Sequence, residues 1–346
     1  MNMKEFRQIL QASMKSKDTE EWLDVYFTRP IGLMFALFWN KLGVHPNAIT
    51  ILSIFLGVGS AFMFYYTDLW HNIAGILLLM FANFCDSTDG QMARLTGKKT
   101  LIGRMLDGFA GDLWFFAIYV ALCLRMQGQF IPGTTIHWGI AIWVMAIVAG
   151  VFCHSPQSSL ADYYRQIHLF FLKGKEGSEL DNYASQRAIY DSLPKSKWLD
   201  RLFYYNYANY CKSQEKRTPM FQRFYALYLE ICRGYEGTEV RECENTAETE
   251  KLEGNLAPSH PRTSAPSELS LITEEFLSGS RPLMKFTNIL TFNVRAITIY
   301  VTCLLNIPWV YFLVEILILS ILYIHMHRRH EALCERLAAK IQTSGQ

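Results

Sequence analysis

The chain has 346 residues, 51% of them hydrophobic, 14% aromatic and 18% charged, with a formal net charge of +2. An ordinary soluble domain carries roughly a quarter charged residues, so this composition points to a polytopic membrane protein, and so small and evenly mixed a net charge excludes a nucleic-acid-binding surface. The eight cysteines (85, 123, 153, 211, 232, 243, 303 and 334) form no CxxC pair and at least four lie in apolar runs, so they read as small buried hydrophobes rather than disulfides or zinc ligands.

In chain order, the opening MNMKEFRQILQASMKSKDTEEW has no apolar core of the kind a cleaved signal peptide carries, so insertion is expected to rest on internal helices. The next stretch, YFTRPIGLMFALFWNKLGV, mixes aromatic and apolar residues with a few cations, and Pro30 suits a helix start. It reads as an interfacial amphipathic helix. An extra span is the alternative, but Arg29, Asn40 and Lys41 leave too short a clean apolar run.

Six stretches are long enough to cross the hydrocarbon core, which takes roughly 20 residues: 48–66, 70–88, 104–126, 136–154, 286–306 and 308–327. The expected fold class is therefore all-α. Loops on one side hold Arg94, Lys98, Lys99 and Arg104, and Arg328 and Arg329 follow the last span, whereas the opposite loops are short and poor in Lys and Arg. The positive-inside rule then puts both termini in the cytoplasm. Five regions result: a cytoplasmic N-terminus with the interfacial helix (1–47), spans one to four (48–154), a cytoplasmic insertion (155–285), spans five and six (286–327) and a cytoplasmic tail (328–346). Within the insertion, 157–236 mixes aromatics with charge at helical spacing, as short helices packed on one another or on the membrane surface would. From 237 to 270 the chain turns to Glu, Thr, Ser and Pro, which reads as a flexible linker.

The informative anomaly is a run of acids beside lipid-like sequence. Asp86-Ser87-Thr88-Asp89-Gly90-Gln91-Met92-Ala93-Arg94 is followed by Gly103, Asp107 and Asp112, with ILLLMFANF before it and LWFFAIYVALCL after it. Ionisable groups at such places are costly, and their default reading is functional. Asp86 and Asp89, three apart, share a helix face that Gly90 and Ala93 leave without bulk, so something must approach closely there. Carboxylates from two helices repel unless a cation sits between them, and an all-oxygen site suits Mg²⁺ or Mn²⁺ better than zinc. Magnesium held by few carboxylates usually completes its shell with water and substrate phosphate, to which Arg94 could add a guanidinium.

The spacing D-x2-D-G-x2-A-R-x8-G-x3-D resembles the signature of the CDP-alcohol phosphatidyltransferases, integral membrane enzymes of phospholipid synthesis. Seven specified residues would coincide by chance on the order of once in a billion starting points, taking roughly one in twenty per residue type. His45-Pro46-Asn47-Ala48-Ile49-Thr50 is similar to the P-N-x-x-T element that opens the family's first span, and an interfacial helix followed by six spans is its layout. The resemblance covers roughly 27–154 and 286–327; the insertion at 155–285 is unlike the compact members.

The resemblance implies transfer of a phospho-alcohol group from a CDP-linked donor to an acceptor hydroxyl, with release of CMP. Donor and acceptor include at least one lipid, two Mg²⁺ or Mn²⁺ ions assist, the site faces the cytoplasm and the protein is a homodimer. Asp86, Asp89 and Asp107 would be metal ligands, while Gly90, Ala93 and Gly103 would make room for the cytidine nucleotide with Arg94 near it. One position departs from the pattern, because the family's fourth aspartate falls where this chain has Gly111 and the carboxylate comes one residue later, at Asp112. On a regular helix that shift rotates it by about 100°. Either a π-bulge eased by Gly108 and Gly111 returns Asp112 to the site, as a metal ligand and catalytic base beside Asp107, or the second metal and the base are supplied differently.

Arg295 and Glu315 are the other isolated charges in apolar surroundings; they could pair, or Arg295 could hold an acceptor's phosphate. His154 reads as a helix-end residue before it reads as a ligand. Two alternatives compete with the transferase. A divalent-cation transporter would also place acids in spans but has no need of the Gly, Ala and Arg spacers, and Gly111 allows a catalytically impaired relative.

Overall fold

The computed structural model describes residues 3–14, 16, 18–97, 101–246 and 267–344. Among these residues every regular element is helical, apart from an isolated bridge between Phe130 and His137. The chain opens with α1 (Met3–Ser13), then a π-helical turn (Asp24–Thr28) that runs directly into α2 (Arg29–Lys41) with Pro30 in its first turn. Helix α3 (Pro46–Phe64) starts at His45, whose ring nitrogen accepts the Asn47 N–H at 3.2 Å, and Pro46 lacks the N–H that would otherwise go unsatisfied there. Asp68 caps α4 (Leu69–Thr96) by accepting the His71 N–H at 3.1 Å, and Gly97, at φ 68°, ends it in the left-handed conformation that glycine takes without strain.

Next come α5 (Leu101–Met126), α6 (Gly139–Ile147), a π-helical stretch (Val148–His154) and α7 (Ser155–Lys173). The insertion contributes α8 (Tyr183–Ser192), α9 (Trp198–Arg217), α10 (Pro219–Thr246) and α11 (Ser267–Ser280). The chain closes with α12 (Met284–Ile289), α13 (Phe292–Leu304), α14 (Trp309–Leu313), a third π-helical stretch (Val314–Leu319) and α15 (Ser320–Ser344). The expected linker 237–270 is thus entered by helix from both sides, and its 247–266 lie outside the described residues.

Among the described residues five helices are long and apolar enough to cross a membrane: Pro46–Phe64, Leu69–Thr96, Met105–Met126, Gly139–Lys173 and Trp309–Thr343. An all-α polytopic membrane protein is therefore the observed class, but the expected span at 286–306 is not one helix. It breaks at Leu290 and Thr291 into α12 and α13, and the 13 residues of α13 reach only about 20 Å at 1.5 Å per residue. Carbonyls freed by a break inside a bundle must find donors within the protein. Arg295 supplies them: its Nη1 donates to the carbonyl oxygens of Leu290 and Thr291.

Two cores result. One lies within the bundle, where Trp114, Ile118, Tyr119 and Leu122 of α5 meet Phe64, Leu79, Ile142, Tyr311 and Phe312. A Cβ at Gly57 would come within 2.1 Å of the Trp114 ring, so only glycine lets α3 and α5 approach this closely. The other core joins α7, α10, α11 and α15 through Tyr164, Phe171, Phe221, Phe224, Phe276 and Leu333. Cys85, Cys123, Cys153, Cys303 and Cys334 are free thiols.

The far end of the bundle is tied by one side chain. Buried Arg125, in the last turn of α5, donates to Phe64 O (3.0 Å), Asn72 Oδ1 (2.8 Å), Cys303 O (3.2 Å) and Asn306 Oδ1 (2.7 Å). It thereby caps the C-terminal ends of α3 and α13 and holds the start of α4. Arg125→Leu would strand four acceptors. Each unsatisfied buried group costs about 1–3 kcal/mol, so the variant should lose on the order of 3 kcal/mol or more of stability in detergent thermal unfolding, with Arg125→Lys recovering part of it because an ammonium lacks the fork.

Candidate active site

Helix α4 spans 28 residues, about 42 Å, longer than a hydrocarbon core of ~30 Å, so its last turns emerge from the apolar run. Those turns carry Asp86, Asp89, Gly90, Ala93 and Arg94. Helix α3 packs against both α4 and α5 and brings the carboxylates of the two together. The side chains of Asp86 and Asp107 lie within hydrogen-bond reach of each other, and Asp89 is close enough to both to feel their charge. Gly103 lies on α5 one turn before Asp107.

Asp89 is 4% exposed, and Thr50 of α3 donates its hydroxyl to Asp89 Oδ2. The other oxygen, Oδ1, is buried and has no partner among the described residues. The P-N-x-x-T element therefore has a defined task, since His45 and Pro46 start the helix that sets Thr50 against Asp89.

Arg94 folds back across Gly90, where an added Cβ would lie 3.4 Å from Nη1 and 3.5 Å from Nη2. Its Nε donates to Ser13 O at 2.6 Å, capping the C-terminal end of α1, while the buried Nη2 has no partner among the described residues. The space expected to receive a nucleotide at Gly90 is thus the space the Arg94 side chain uses. Glu20 and Glu179 flank the same guanidinium.

A feature the sequence did not announce is the N-terminal segment that walls the site. Arg29 forks onto Glu20 (3.1 and 3.3 Å) and reaches Ser87 Oγ at 3.5 Å, and its carbonyl accepts from Gln91 Nε2 at 3.0 Å. Burial works against the Arg29 charge, but Glu20, Asp24 and Asp86 around it prevail and hold its proton more tightly than usual. Asn293 donates to Glu21 (2.8 Å) and Asp24 (3.0 Å), and Asn288 to Glu20 O (3.3 Å), so this segment is stitched to α12 and α13. Burial pushes the Glu21 carboxyl up despite its bonds from Thr291 and Asn293. A Cβ at Gly32 would sit 2.7 Å from Ser87 Oγ, which is how α2 comes to lie on the carboxylate-bearing stretch of α4. Beside this wall an apolar cavity of about 250 Å³ is lined by Leu23, Phe27, Asn83, Phe84, Phe292 and Tyr300, among others. Asn83 lies one turn before Asp86 on α4.

Two expectations are corrected. Asp112 does not return to the cluster, because α5 runs as unbroken α-helix through Gly108 and Gly111, with no π-bulge. Its side chain is exposed, and its charge acts on Tyr210 of α9. Arg295 has its donors on the protein itself. Its Nε donates to Glu315 Oε1 at 2.8 Å and its Nη2 to Gln157 Oε1 at 2.8 Å, with both bonds of Nη1 on the helix-break carbonyls, so the pairing alternative is the one present. His154 is part of the same buried network, 3.5 Å from Glu315 and 3.4 Å from Tyr119 Oη, and Tyr311 Oη donates to Glu315 at 2.9 Å.

Among the described residues no three His, Cys, Asp or Glu side chains converge as a ready metal-ligand set. The donor chemistry nevertheless suits a hard cation: carboxylates in contact need a proton or a cation between them, and Asp89 Oδ1 is buried with no partner among the described residues. Thr50→Val should show how far Asp89 depends on the threonine hydroxyl. Losing a hydrogen bond to a buried charged group costs about 1.5–3 kcal/mol, so the midpoint of thermal unfolding should fall, and adding Mg²⁺ should recover part of the loss.

Comparison with known proteins bears on this site directly. Residues 43–161, which include Thr50, Asp86, Asp89, Arg94 and Asp107, match the sequence profile of the CDP-alcohol phosphatidyltransferase family. An uncharacterized protein of Aquifex aeolicus is 41% identical over 88 residues, 24% of this chain and 43% of that protein. An archaetidylinositol phosphate synthase of Pyrococcus horikoshii is 38% identical over 67 residues (19% and 34%), and a bifunctional IPC transferase and DIPP synthase of Aquifex aeolicus is 29% identical over 105 residues (30% and 22%). The chain spans less than half the length of each of these relatives. The stretch that builds the carboxylate cluster is thus the part of the chain that is similar to the CDP-alcohol phosphatidyltransferases.

Proposed function

We propose that the protein transfers a phospho-alcohol group from a CDP-linked donor to an acceptor hydroxyl and releases CMP, with at least one of the two substrates a lipid. The observation that carries this reading is the contact of Asp86 with Asp107 across two helices, with Asp89 near enough to feel the charge of both and Arg94 close by, on the family's spacing. The names of the matched relatives, an archaetidylinositol phosphate synthase and an IPC transferase, support a lipid product. The apolar cavity beside Asn83 offers room for an acyl or isoprenoid chain next to the carboxylates.

In this reading the site lies on the cytoplasmic side with both termini, the working form is a homodimer, and Asp86, Asp89 and Asp107 hold Mg²⁺ or Mn²⁺, which supplies charge neutralisation at the donor's phosphates. The chain's own residues do the rest. Arg94 leaves Ser13 and turns its free N–H bonds onto the donor, opening the space over Gly90, with Ala93 and Gly103 keeping that wall low. Thr50 and Arg29 hold the acid cluster in register. The acceptor oxygen attacks the phosphorus bearing the alcohol, its proton passes to Asp107, and the bond to the CMP oxygen breaks. Asp112 takes no part, and Arg295 braces the bundle.

The test is CMP release by the purified protein in lipid. Asp86→Asn, Asp89→Asn and Asp107→Asn should each lower turnover by roughly 10²–10⁴-fold in protein that still inserts and folds, and EDTA should abolish it until Mg²⁺ or Mn²⁺ is restored. Full turnover in EDTA would sink the reading. A second measurement addresses the departed position: Asp112→Asn should leave turnover within about two-fold, since its carboxylate faces away, whereas Gly111→Asp, whose Cβ enters open space, should be tolerated and raise turnover.

A further inference from the structure

The insertion holds a surface that neither core absorbs. On α9 the side chains of Trp198, Leu199, Leu202 and Tyr205 are 64%, 50%, 50% and 46% exposed. Trp198, Leu202 and Tyr205 fall at i, i+4 and i+7, so they form one stripe along the first two turns. The second half of the helix is different, with Ala208, Cys211 and Gln214 buried. Some exposed aromatics, Phe55 and Phe116 for example, lie on spans, where lipid would cover them. This stripe is outside every span.

Its position follows from what the buried half of α9 touches. Gln214 Nε2 donates to Ser159 O at 3.0 Å, Arg217 Nη1 to Pro156 O at 3.4 Å and Nη2 to Ser159 Oγ at 3.3 Å, and α9 also packs on α5. Pro156 and Ser159 are in the first turns of α7, at the same end of the bundle as the carboxylates. Helix α9 is therefore fastened by its second half to α7 and α5, and its first two turns, which carry the stripe, extend beyond that anchor.

The tip is pre-formed. Arg201 Nη1 donates to Leu193 O (2.6 Å) and Tyr190 O (3.1 Å), ending α8, and the guanidinium groups of Arg201 and Arg187 lie 4.2 and 4.5 Å from the Tyr190 ring centre. That brace fixes the 193–197 turn, which sets exposed Lys195 and Lys197 directly before Trp198. A tryptophan and a tyrosine on one face, with lysines at the edge, is the chemistry that settles where acyl chains meet anionic headgroups.

We propose that the α8–α9 hairpin is a second membrane contact, with the Trp198, Leu199, Leu202 and Tyr205 stripe seated in the headgroup layer of the membrane the protein spans and Lys195 and Lys197 on anionic lipid phosphates. The hairpin then steadies the insertion over the carboxylate end of the bundle.

Full-length protein in nanodiscs tests this by fluorescence quenching. Subtracting the signal of Trp198→Phe from that of the unmodified protein isolates one tryptophan. With bromine placed high on the acyl chains, the isolated Trp198 signal should fall by roughly half or more and resist aqueous acrylamide. Quenching should be stronger in discs of equal parts phosphatidylcholine and phosphatidylglycerol than in phosphatidylcholine alone, and Lys195→Glu with Lys197→Glu should remove that increment. A Trp198 signal that brominated lipid does not touch, or that becomes shielded only as protein concentration rises, overturns the proposal in favour of a protein partner or a second copy. Quenching indifferent to phosphatidylglycerol overturns the assignment of the lysines.

Discussion

Three neighbouring carboxylates from two helices, with Asp89 buried and Asp86 and Asp107 half-buried, are the constraint around which the rest is arranged. Like charges at contact distance in a medium of low dielectric repel strongly. The fold offsets this with groups that are individually ordinary: a threonine hydroxyl on Asp89, Arg29 near Asp86, and Arg94 near Asp107. What it leaves unsatisfied is as informative. Asp89 Oδ1 and Arg94 Nη2 are buried without partners among the described residues, an acceptor and a donor that a cation and an anionic phosphate would satisfy together.

A second polar network makes that corner rigid enough to be useful. Glu315 accepts from Arg295 and Tyr311 and faces His154, and both His154 and Glu315 lie on π-helical stretches that pack against each other. Extra residues in a helical turn re-aim side chains, and such bulges gather where a side chain must be placed against the regular register. Breaking a buried ion pair typically costs 3–5 kcal/mol because the survivor stays buried and uncompensated. Arg295 has a further duty on the carbonyls of the α12–α13 break, so the network joins the span ends to the segment that receives Glu21 and Asp24.

The sequence made some of this legible and hid the rest, for physical reasons. Fixed spacing on one helix is local, so Asp86, Asp89, Gly90 and Arg94 could be assigned to one face before any fold was known. Composition gave the helical membrane class for the same reason. Apolar count does not register a break, however: 286–306 is hydrophobic enough throughout, and the interruption at Leu290 and Thr291 is stabilised by Arg295 and by Glu21, the latter bonded to Thr291 from some 270 residues away. The bulge expected near Gly108 and Gly111 is absent because nothing requires it. Glycine permits irregularity without causing it, and the bulges arose instead around His154 and Glu315. The wall built by Glu20, Glu21, Asp24 and Arg29 was illegible because the contacts that tie it to α4, α12 and α13 are long-range, and in the sequence Arg29 stands out only as an interruption of an apolar run.

The central claim is transfer, as distinct from hydrolysis or ion transport, and the fate of one phosphorus atom decides it. A panel of CDP-alcohols labelled on the phosphate next to the alcohol, incubated with the protein in lipid and candidate hydroxyl acceptors, should yield unlabelled CMP and a new phosphodiester carrying the label, in equal amounts. Label appearing in free phospho-alcohol without an acceptor product, or no CMP with any donor, would contradict the account.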